Sequence, residues 1–299
     1  MSTDLLKDLL WVEKYRPTQL EDLALDPETR QVLSAYLAAG EIPHLLLSGP
    51  PGTGKTTVAR IIHHSLDCRV LSLNASSDRG IDVVRERVGS FVTAMGIHRW
   101  NLVFLDESDA MTPDAQTALR NLIESYADQA RFILTANYLH KIIGPLQSRC
   151  QLLTLGRPPL KERFRILQGV LTEEGIEAPA PVILSYAERF PDLRKMLMSA
   201  QRAFLAHGTL PSAVVEDAVS GTSILEMMTA KNWTGLRRLT TDGNFDPQQA
   251  LRDLFWAIPD DHPRVGFLRH VIGKAVHESG FSPDPVIHFL GSLAEVMEG

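Results

Sequence analysis

The sequence predicts an α/β fold in which a parallel sheet is followed only by helices. Three observations predict it: short apolar runs in the first half, helical periodicity between them, and no strand signal afterwards. Continuous apolar strands that alternate with helices are typical of a parallel sheet whose two faces are both covered. The runs that predict strands cover residues 45–47, 70–73, 102–105, 132–134 and 152–155.

The second half of the chain predicts two groups of helices. Strand signals stop after the Gly-Arg-Pro-Pro sequence at residues 156–159. One predicted helix ends at Gly208, a typical C-cap residue, and a short one covers residues 211–219. Gly221 and Thr222 then read as a linker. The sequence therefore predicts an α/β domain at 1–157, a small helical domain at 158–221 and a second helical domain at 222–299.

The composition excludes several classes of protein. The 299 residues have a net charge of −6, which argues against a globally basic nucleic-acid coat but leaves room for a local basic surface. Cys68 and Cys150 are the only cysteines, too few for a disulfide framework or a cysteine-based zinc site. No apolar run approaches the roughly 18–20 residues that span a bilayer, and the N-terminus lacks a signal-peptide core. We therefore expect a cytoplasmic protein without a membrane partner.

Residues 49–56, Gly-Pro-Pro-Gly-Thr-Gly-Lys-Thr, match the phosphate-loop pattern G-x-x-x-x-G-K-[ST]. They follow a predicted strand and open a predicted helix, which is the context that this pattern requires. The glycines let several backbone N–H groups face one anion, and the helix N-terminus adds partial positive charge. We expect Lys55 to reach the terminal phosphates of a nucleotide and the hydroxyl of Thr56 to bind Mg²⁺.

Polar residues follow the third and fourth predicted strands. Asp106 and Glu107 come directly after the run 102–105, and a carboxylate at the end of a buried parallel strand faces the ligand crevice. We expect Asp106 to hold Mg²⁺ and Glu107 to act as the general base that polarises the attacking water. Asn137 follows the next strand, where its amide either orients that water or caps a turn.

Several segments together give the chain a resemblance to the AAA+ clamp-loader family. Glu-Lys-Tyr-Arg-Pro and Ser-Arg-Cys are the specific ones, because few other AAA+ proteins have both. The chain resembles the small subunits of eukaryotic and archaeal replication factor C over its first 210 residues, and the Phe-Pro-Asp-Leu-Arg string looks closest to the tailed-phage loader subunit. The resemblance implies a RecA-like P-loop core, a helical lid domain and a helical collar domain. The segments are residues 11–17, 49–56, 106–109, Asn137, 148–150 and 190–194.

The resemblance also implies a set of nucleotide-site residues. Asn137 is similar to the family's sensor 1, Arg194 to its sensor 2, and Arg149 to the arginine finger given to the neighbouring subunit's ATP. Together with Lys55 and Glu107, these residues are the implied catalytic set. The residues implied to bind the nucleotide are Val12, Glu13, Lys14, Tyr15, Arg16, Ala24, Gly52, Thr53, Gly54, Lys55, Thr56, Thr57 and Arg194.

The segment after the second predicted strand is the candidate DNA surface. Its charge pattern alone favours a solvated amphipathic helix, since Asp82 and Glu86 weaken its basic character. The resemblance favours contacts with the backbone of primer–template DNA, which implies recognition of structure and not of base sequence. The residues implied to contact DNA are Ser77, Arg79, Gly80, Ile81 and Arg85.

The function that the resemblance implies is that of an ATP-hydrolysing subunit of a sliding-clamp loader, with Mg²⁺ as cofactor. ATP binding opens the clamp and loads it onto primer–template DNA, and hydrolysis stimulated by DNA and clamp releases the loader. The implied partners are the sliding clamp, primer–template DNA, copies of the chain in a ring-like oligomer and a different non-catalytic subunit. A phage-encoded chain would work in the host cytoplasm.

Two alternatives stay open on the sequence alone. Another AAA+ motor, such as a branch-migration helicase, has the same nucleotide residues but translocates DNA. A structural loader subunit binds nucleotide without turnover, and the presence of Lys55, Glu107, Asn137, Arg149 and Arg194 argues against it.

Overall fold

The computed structural model describes residues 10–94, 98–211, 221–241, 245–279 and 282–298. The chain divides into two compact units, Met1–Val214 and Val215–Gly299. The further division of the first unit at residue 157 stays a prediction. Most of the helix predicted over residues 211–219 lies outside the described residues.

The sheet of the first unit has five parallel strands. They are β1 (Leu45–Ser48), β2 (Cys68–Asn74), β3 (Trp100–Asp106), β4 (Ala130–Ala136) and β5 (Gln151–Thr154). Their spatial order is β2-β3-β4-β1-β5. β1 lies inside the sheet because Leu45 pairs with Ile133 on one side and with Gln151 on the other. The predicted parallel sheet is confirmed, with a strand at each of the apolar runs.

Helices cover both faces of this sheet. They are α2 (Pro27–Ala39), α3 (Lys55–Ser65), α4 (residues 81–93), α5 (Pro113–Ser125) and α6 (Gly144–Gln147), whereas the first helix, α1 (Trp11–Lys14), packs with the helices that follow the sheet. Leu45 and Leu47 pack into one hydrophobic cluster with Val58 of α3. Leu46 packs into the other cluster with Val88 of α4 and Leu119 of α5. This alternation follows from the two-residue period of a strand. It explains why all three leucines of β1 are buried, since both faces of the sheet are covered.

Helix α4 is not a regular α-helix. It consists of an α-helical turn at Ile81–Val83, a π-helical turn at Val84–Val88 and a second α-helical turn at Gly89–Thr93. Val84 and Val88 are buried, while Arg85 is exposed. The π-turn adds a residue to the helix without moving these two valines away from the core.

Three helices that follow the sheet form a separate hydrophobic cluster, called the lid here. They are α7 (Leu160–Glu173), α8 (Ala180–Arg189) and α9 (Leu193–His207). Trp11 of α1 joins this cluster, donates its backbone N–H to Gln201 at 3.1 Å and stacks near Phe204. Gly208 ends α9 in the left-handed conformation, as predicted. Helix α1 is thereby fixed to the lid.

Five helices make up the described part of the second unit. They are α10 (Gly221–Thr229), α11 (Trp233–Thr240), α12 (Pro247–Ala257), α13 (Val265–Ser279) and α14 (Pro285–Glu298). The expectation of a linker at Gly221 and Thr222 is wrong, because both residues belong to α10. A Cβ on Gly221 would lie 2.0 Å from the carbonyl oxygen of Asp253, so this glycine permits close helix packing. Within the described ranges, no helix has the length and apolar character needed to cross a bilayer.

Two leucines of the lid test its core. Leu167 of α7 is fully buried, whereas Leu205 of α9 is 76% exposed. We expect Leu167→Ala to lower the free energy of unfolding of the first unit by about 2–5 kcal/mol, because the lost methyl groups leave a cavity. Leu205→Ala should change it by less than about 0.5 kcal/mol. Urea denaturation followed by circular dichroism measures both values, and equal losses would contradict this assignment of the lid core.

Candidate active site

The phosphate loop connects β1 to α3 and requires its glycines. A Cβ on Gly49 would lie 2.1 Å from the carbonyl oxygen of Leu155, the residue that follows β5. Gly52 has a φ of 75°, in the left-handed region that favours glycine. Because α3 begins at Lys55, the unpaired N–H groups of its first turn lie at the end of the loop and favour an anion.

Lys55 is held against the backbone of the loop. Its side chain is largely buried, and its Nζ donates to the carbonyl oxygens of Gly49 and Pro50 at 2.7 and 2.8 Å. Burial lowers the pKa of Lys55, and the carboxylates of Asp106 and Asp109 oppose that shift. The ammonium group is thus attracted to acidic residues at the end of β3 and in the loop after it.

Thr56 and Asp106 offer oxygen ligands to a metal ion. The Oγ1 of Thr56 lies 3.2 and 3.1 Å from the two carboxylate oxygens of Asp106. In nucleotide sites Mg²⁺ takes few protein oxygens and completes its coordination with phosphates and water, so this pair fits it. Among the described residues, no cluster of three or more His, Cys, Asp or Glu could hold a metal by itself.

Glu107 follows β3 in a strained backbone conformation. Its φ of 57° and ψ of 42° place it in the left-handed region, which costs a non-glycine residue about 1–3 kcal/mol. A continuing strand would send the side chains of Asp106 and Glu107 to opposite faces of the sheet. The left-handed turn breaks that alternation, so it sets the direction in which the Glu107 carboxylate leaves the strand.

Asp109 joins the loop after β3 to the end of β4. Its carboxylate oxygens accept from the backbone N–H groups of Asn137 and Tyr138, both at 3.2 Å. Asn137 is thereby held beside the acidic loop. The sequence did not predict this role of Asp109. It could only have been suspected from the place of Asp109 in the same motif as Asp106.

A cavity of about 440 Å³ lies between the phosphate loop, the N-terminal segment from Val12 to Ala24, and the lid. This volume falls in the range of roughly 300–1,000 Å³ that is typical of small-molecule sites. The predicted nucleotide-binding residues that line it are Val12, Tyr15, Arg16, Ala24, Gly52, Thr53, Gly54, Thr57 and Arg194. Lys55 and Thr56 adjoin this group through the loop, so the structure brings most of the predicted set to one place.

The lid supplies cavity residues that the sequence did not predict. Arg165, Gly169 and Glu173 line the cavity from α7, and Leu193 and Leu197 line it from α9. The first three share one face of α7, since they are four residues apart. The spacing shows that these three residues share a face of α7, but the sequence alone does not show that this face borders the cavity.

Glu13 and Lys14 do not line the cavity, unlike their neighbours. The carboxylate of Glu13 accepts from Arg16, and the Nζ of Lys14 donates to the carboxylate of Glu174 at 2.7 Å. The hydroxyl of Tyr15 donates to the same Glu174 oxygen at 2.7 Å. These two hydrogen bonds lower the pKa of Glu174, while burial, and then the carboxylate, raise the pKa of Tyr15. The end of α7 therefore orients the Tyr15 ring at the cavity wall.

The lid also contacts the phosphate loop through Asp192. Its carboxylate caps α9 by accepting from the N–H groups of Arg194 and Lys195 at 2.8 and 3.1 Å. The same carboxylate packs on Gly52, where a Cβ would lie 2.1 Å from Oδ1. Arg194, the second residue of α9, lines the cavity.

Comparisons with known proteins identify the family of this chain. Residues 45–155 match the family described as ATPase family associated with various cellular activities (AAA), and residues 5–81 match the Rad17 P-loop domain. The chain is 37% identical over 302 residues to the replication factor C small subunit of Haloarcula marismortui, covering 97% of this chain and 89% of the relative. The chain belongs to the replication factor C small subunit family.

Two further relatives of this family match a shorter part of the chain. The replication factor C small subunit of Natronomonas pharaonis is 42% identical over 219 residues, which cover 69% of this chain and 66% of the relative. That of Thermofilum pendens is 39% identical over 222 residues, covering 72% and 68%. The predictions of an AAA+ ATPase and of a clamp-loader subunit are confirmed, and the tailed-phage type stays a prediction.

Solved structures of RuvB from Thermotoga maritima have the same fold. One, described as a Holliday junction branch migration motor, has a TM-score of 0.51 and 20% identity, covering 76% of this chain and 78% of that chain. Another has a TM-score of 0.55 and 18% identity, covering 86% of each chain. At such identities the likeness shows the fold alone, and it confirms the predicted RecA-like AAA+ core.

Arg149 of this replication factor C homologue lies on the surface, outside the cavity lining. Its guanidinium forms an ion pair with Glu124 and donates to the carbonyl oxygen of Pro145 at 3.0 Å. It follows α6 and precedes β5. The structure therefore does not bring Arg149 to the side chains that line the cavity of its own chain.

The predicted DNA residues lie around the start of α4. Arg79 is exposed and its Nε donates to the carbonyl oxygen of Ser76 at 2.7 Å, while Ser77 is exposed beside it. Ile81 and Arg85 line a groove of about 570 Å³ between α4 and α5. Gly80 precedes α4 with open space around its Cα. These residues share one region of the surface.

Substitutions at two glycines distinguish the effect of packing in the phosphate loop from the effect of backbone strain. Gly52 has a φ of 75° and contacts Asp192, whereas Gly40 has a φ of 65° and open space around it. We expect Gly52→Ala to weaken nucleotide binding at least about tenfold, because the new Cβ must displace the carboxylate or the loop. Gly40→Ala has a similar strain and should leave binding unchanged. Titration with a fluorescent ATP analogue measures both, and equal effects would mean that strain alone acts.

Proposed function

We propose that this chain opens and loads a sliding clamp when it binds ATP, and that hydrolysis stimulated by DNA and clamp then releases it on primer–template DNA. One observation supports this most strongly. Thr56 and Asp106 face each other beside the phosphate loop, and Glu107 directly follows Asp106, in a replication factor C small subunit homologue. The chain therefore has the side chains needed for turnover as well as for binding.

The cavity residues support a bound ATP. Val12, Tyr15 and Ala24 would enclose the base, because they line the end of the cavity formed by the N-terminal segment. The loop backbone and Lys55 would bind the phosphates, and Arg194 would contact the terminal phosphate from the lid. Burial of Lys55 strengthens such a contact, since charges interact more strongly away from water.

The strand-end residues support the hydrolysis step. Thr56 and Asp106 would hold Mg²⁺, which would neutralise negative charge on the phosphates. Glu107 would accept a proton from the attacking water, and Asn137 would orient that water. The hydrogen bonds of Asp109 to the backbone after β4 support this pairing, because they hold Asn137 beside the acidic loop.

The position of Arg149 supports a ring-like oligomer. Its guanidinium is partly exposed, paired with Glu124 and outside the cavity lining of its own chain. A guanidinium in that position can complete an ATP site on a neighbouring copy. We infer a ring of copies of this chain, joined by a different non-catalytic subunit, with the helices of the second unit as its collar.

The region around the start of α4 supports a DNA contact. Arg79 and Arg85 are both exposed there, and the hydrogen bond that Arg79 donates to the carbonyl oxygen of Ser76 can be exchanged for one to a phosphate. Contacts to phosphates would bind primer–template DNA by its backbone. The Phe-Pro-Asp-Leu-Arg string supports a tailed-phage origin, with the host cytoplasm as the place of action.

The experiment that tests this function measures ATP turnover with and without primer–template DNA and the sliding clamp encoded by the same genome. We expect the highest rate with both present, and no strand displacement. Glu107→Gln should bind a fluorescent ATP analogue normally and lose turnover by about 10²–10⁴-fold, because the base is removed and the shape is kept. Strand displacement without clamp stimulation would overturn the clamp-loading function, and unchanged turnover in Glu107→Gln would overturn the base.

Arg149→Ala tests the contribution across the subunit interface. We expect turnover of the assembled complex to fall by about 10³-fold or more, because the neighbouring site loses its positive charge. Turnover of the isolated chain should stay the same. Arg99→Ala is the matched control, since Arg99 is an exposed arginine paired with Glu41. A loss in the isolated chain would show that Arg149 acts within its own subunit.

A further inference from the structure

Thr135 lies where the ends of β3 and β4 meet. The parallel pairing of Leu105 with Leu134 brings the residues that follow them, Asp106 and Thr135, side by side. Thr135 is 1% exposed. A hydroxyl in such a place must find its hydrogen-bond partners within the protein, because water is excluded.

The Thr135 hydroxyl contacts both acidic residues of the site. Its Oγ1 donates to Oδ1 of Asp106 at 2.5 Å and accepts from the backbone N–H of Glu107 at 2.9 Å. The bond to Asp106 is short, as expected for a hydroxyl that donates to a carboxylate. One buried hydroxyl therefore joins the side chain of one acidic residue to the backbone of the next.

The two hydrogen bonds constrain the Asp106 carboxylate and the Glu107 backbone, on which the proposed hydrolysis depends. The bond to Asp106 limits rotation of a carboxylate whose two oxygens also face the Thr56 hydroxyl. The bond to Glu107 fixes a backbone N–H in a left-handed conformation that is otherwise unfavourable. Neither bond is available to an apolar side chain of the same shape, and its loss would leave the Glu107 N–H without this acceptor.

We propose that Thr135 is a positioning residue that sets the direction of both carboxylates for ATP hydrolysis. It orients Asp106 by donating a hydrogen bond and orients Glu107 by holding its backbone. The inference rests on the proposed function, because it assigns Asp106 and Glu107 their roles there. It adds a residue outside the phosphate loop and the acidic motif to the machinery of the site.

Three variants test the role of the hydroxyl. Thr135→Val keeps the shape and removes both bonds, and Thr135→Ser keeps the hydroxyl and removes a methyl group. Thr154→Val is the matched control, because Thr154 is an exposed threonine at the end of β5 in the same sheet. Each variant is measured by hydrogen exchange of the Glu107 amide, by affinity for a fluorescent ATP analogue, and by kcat and KM for ATP.

We expect Thr135→Val to speed exchange of the Glu107 amide by about tenfold, because the half-buried N–H loses its acceptor. The kcat should fall at least about tenfold with a KM within about threefold of the original, as when an interaction specific to the transition state is lost. Thr135→Ser should restore amide protection and kcat to within about threefold of the original chain, and Thr154→Val should change neither.

Two results would overturn the inference. Amide exchange and kcat that are unchanged in Thr135→Val would show that the hydroxyl positions nothing. Losses in Thr135→Ser equal to those in Thr135→Val would show that the methyl group acts through packing. If the original chain itself failed to hydrolyse ATP, the proposed function would fall, while the amide exchange would still report whether the hydroxyl holds Glu107.

Discussion

Parallel pairing of three buried strands is the constraint on which the rest of this structure depends. β1, β3 and β4 all end at one edge of the sheet, so the residues that follow them become neighbours although they are far apart in sequence. The phosphate loop follows β1, the acidic loop follows β3, and Asn137 follows β4. Side-chain contacts such as that between Thr56 and Asp106 then complete an arrangement that the sheet has already set.

The lid adds a second constraint, because its helices contact the loop and the N-terminal segment directly. Asp192 caps α9 and packs on Gly52, so the start of the helix and the loop constrain each other. Glu174 at the end of α7 accepts from Lys14 and Tyr15, and Trp11 is buried among the lid helices. The cavity walls are thus connected by short-range contacts.

The sequence predicted those parts of the fold and site that depend on local pattern. The five strands were predictable because β-strands buried on both faces are apolar at nearly every position. The phosphate loop was predictable because its glycines and lysine have a fixed spacing. Long-range contacts were not: a threonine such as Thr135 is ordinary in a strand, and nothing in its neighbours in sequence indicates Asp106 as a partner. Gly221 was interpreted as part of a linker, whereas its lack of a side chain permits close packing against Asp253.

The π-turn in α4 has a consequence for how this segment evolves. A π-turn contains one residue more than the α-turn that it replaces, so it is the expected trace of a single-residue insertion into an ancestral regular helix. In a regular helix such an insertion would rotate every following side chain by roughly 100° about the axis. Here the extra residue is absorbed within Val84–Val88, and Phe91 and Val92 stay packed in the core. A homologue that is one residue shorter at this point can therefore keep the same buried face. Such a difference in length would change only which side chains are exposed to solvent.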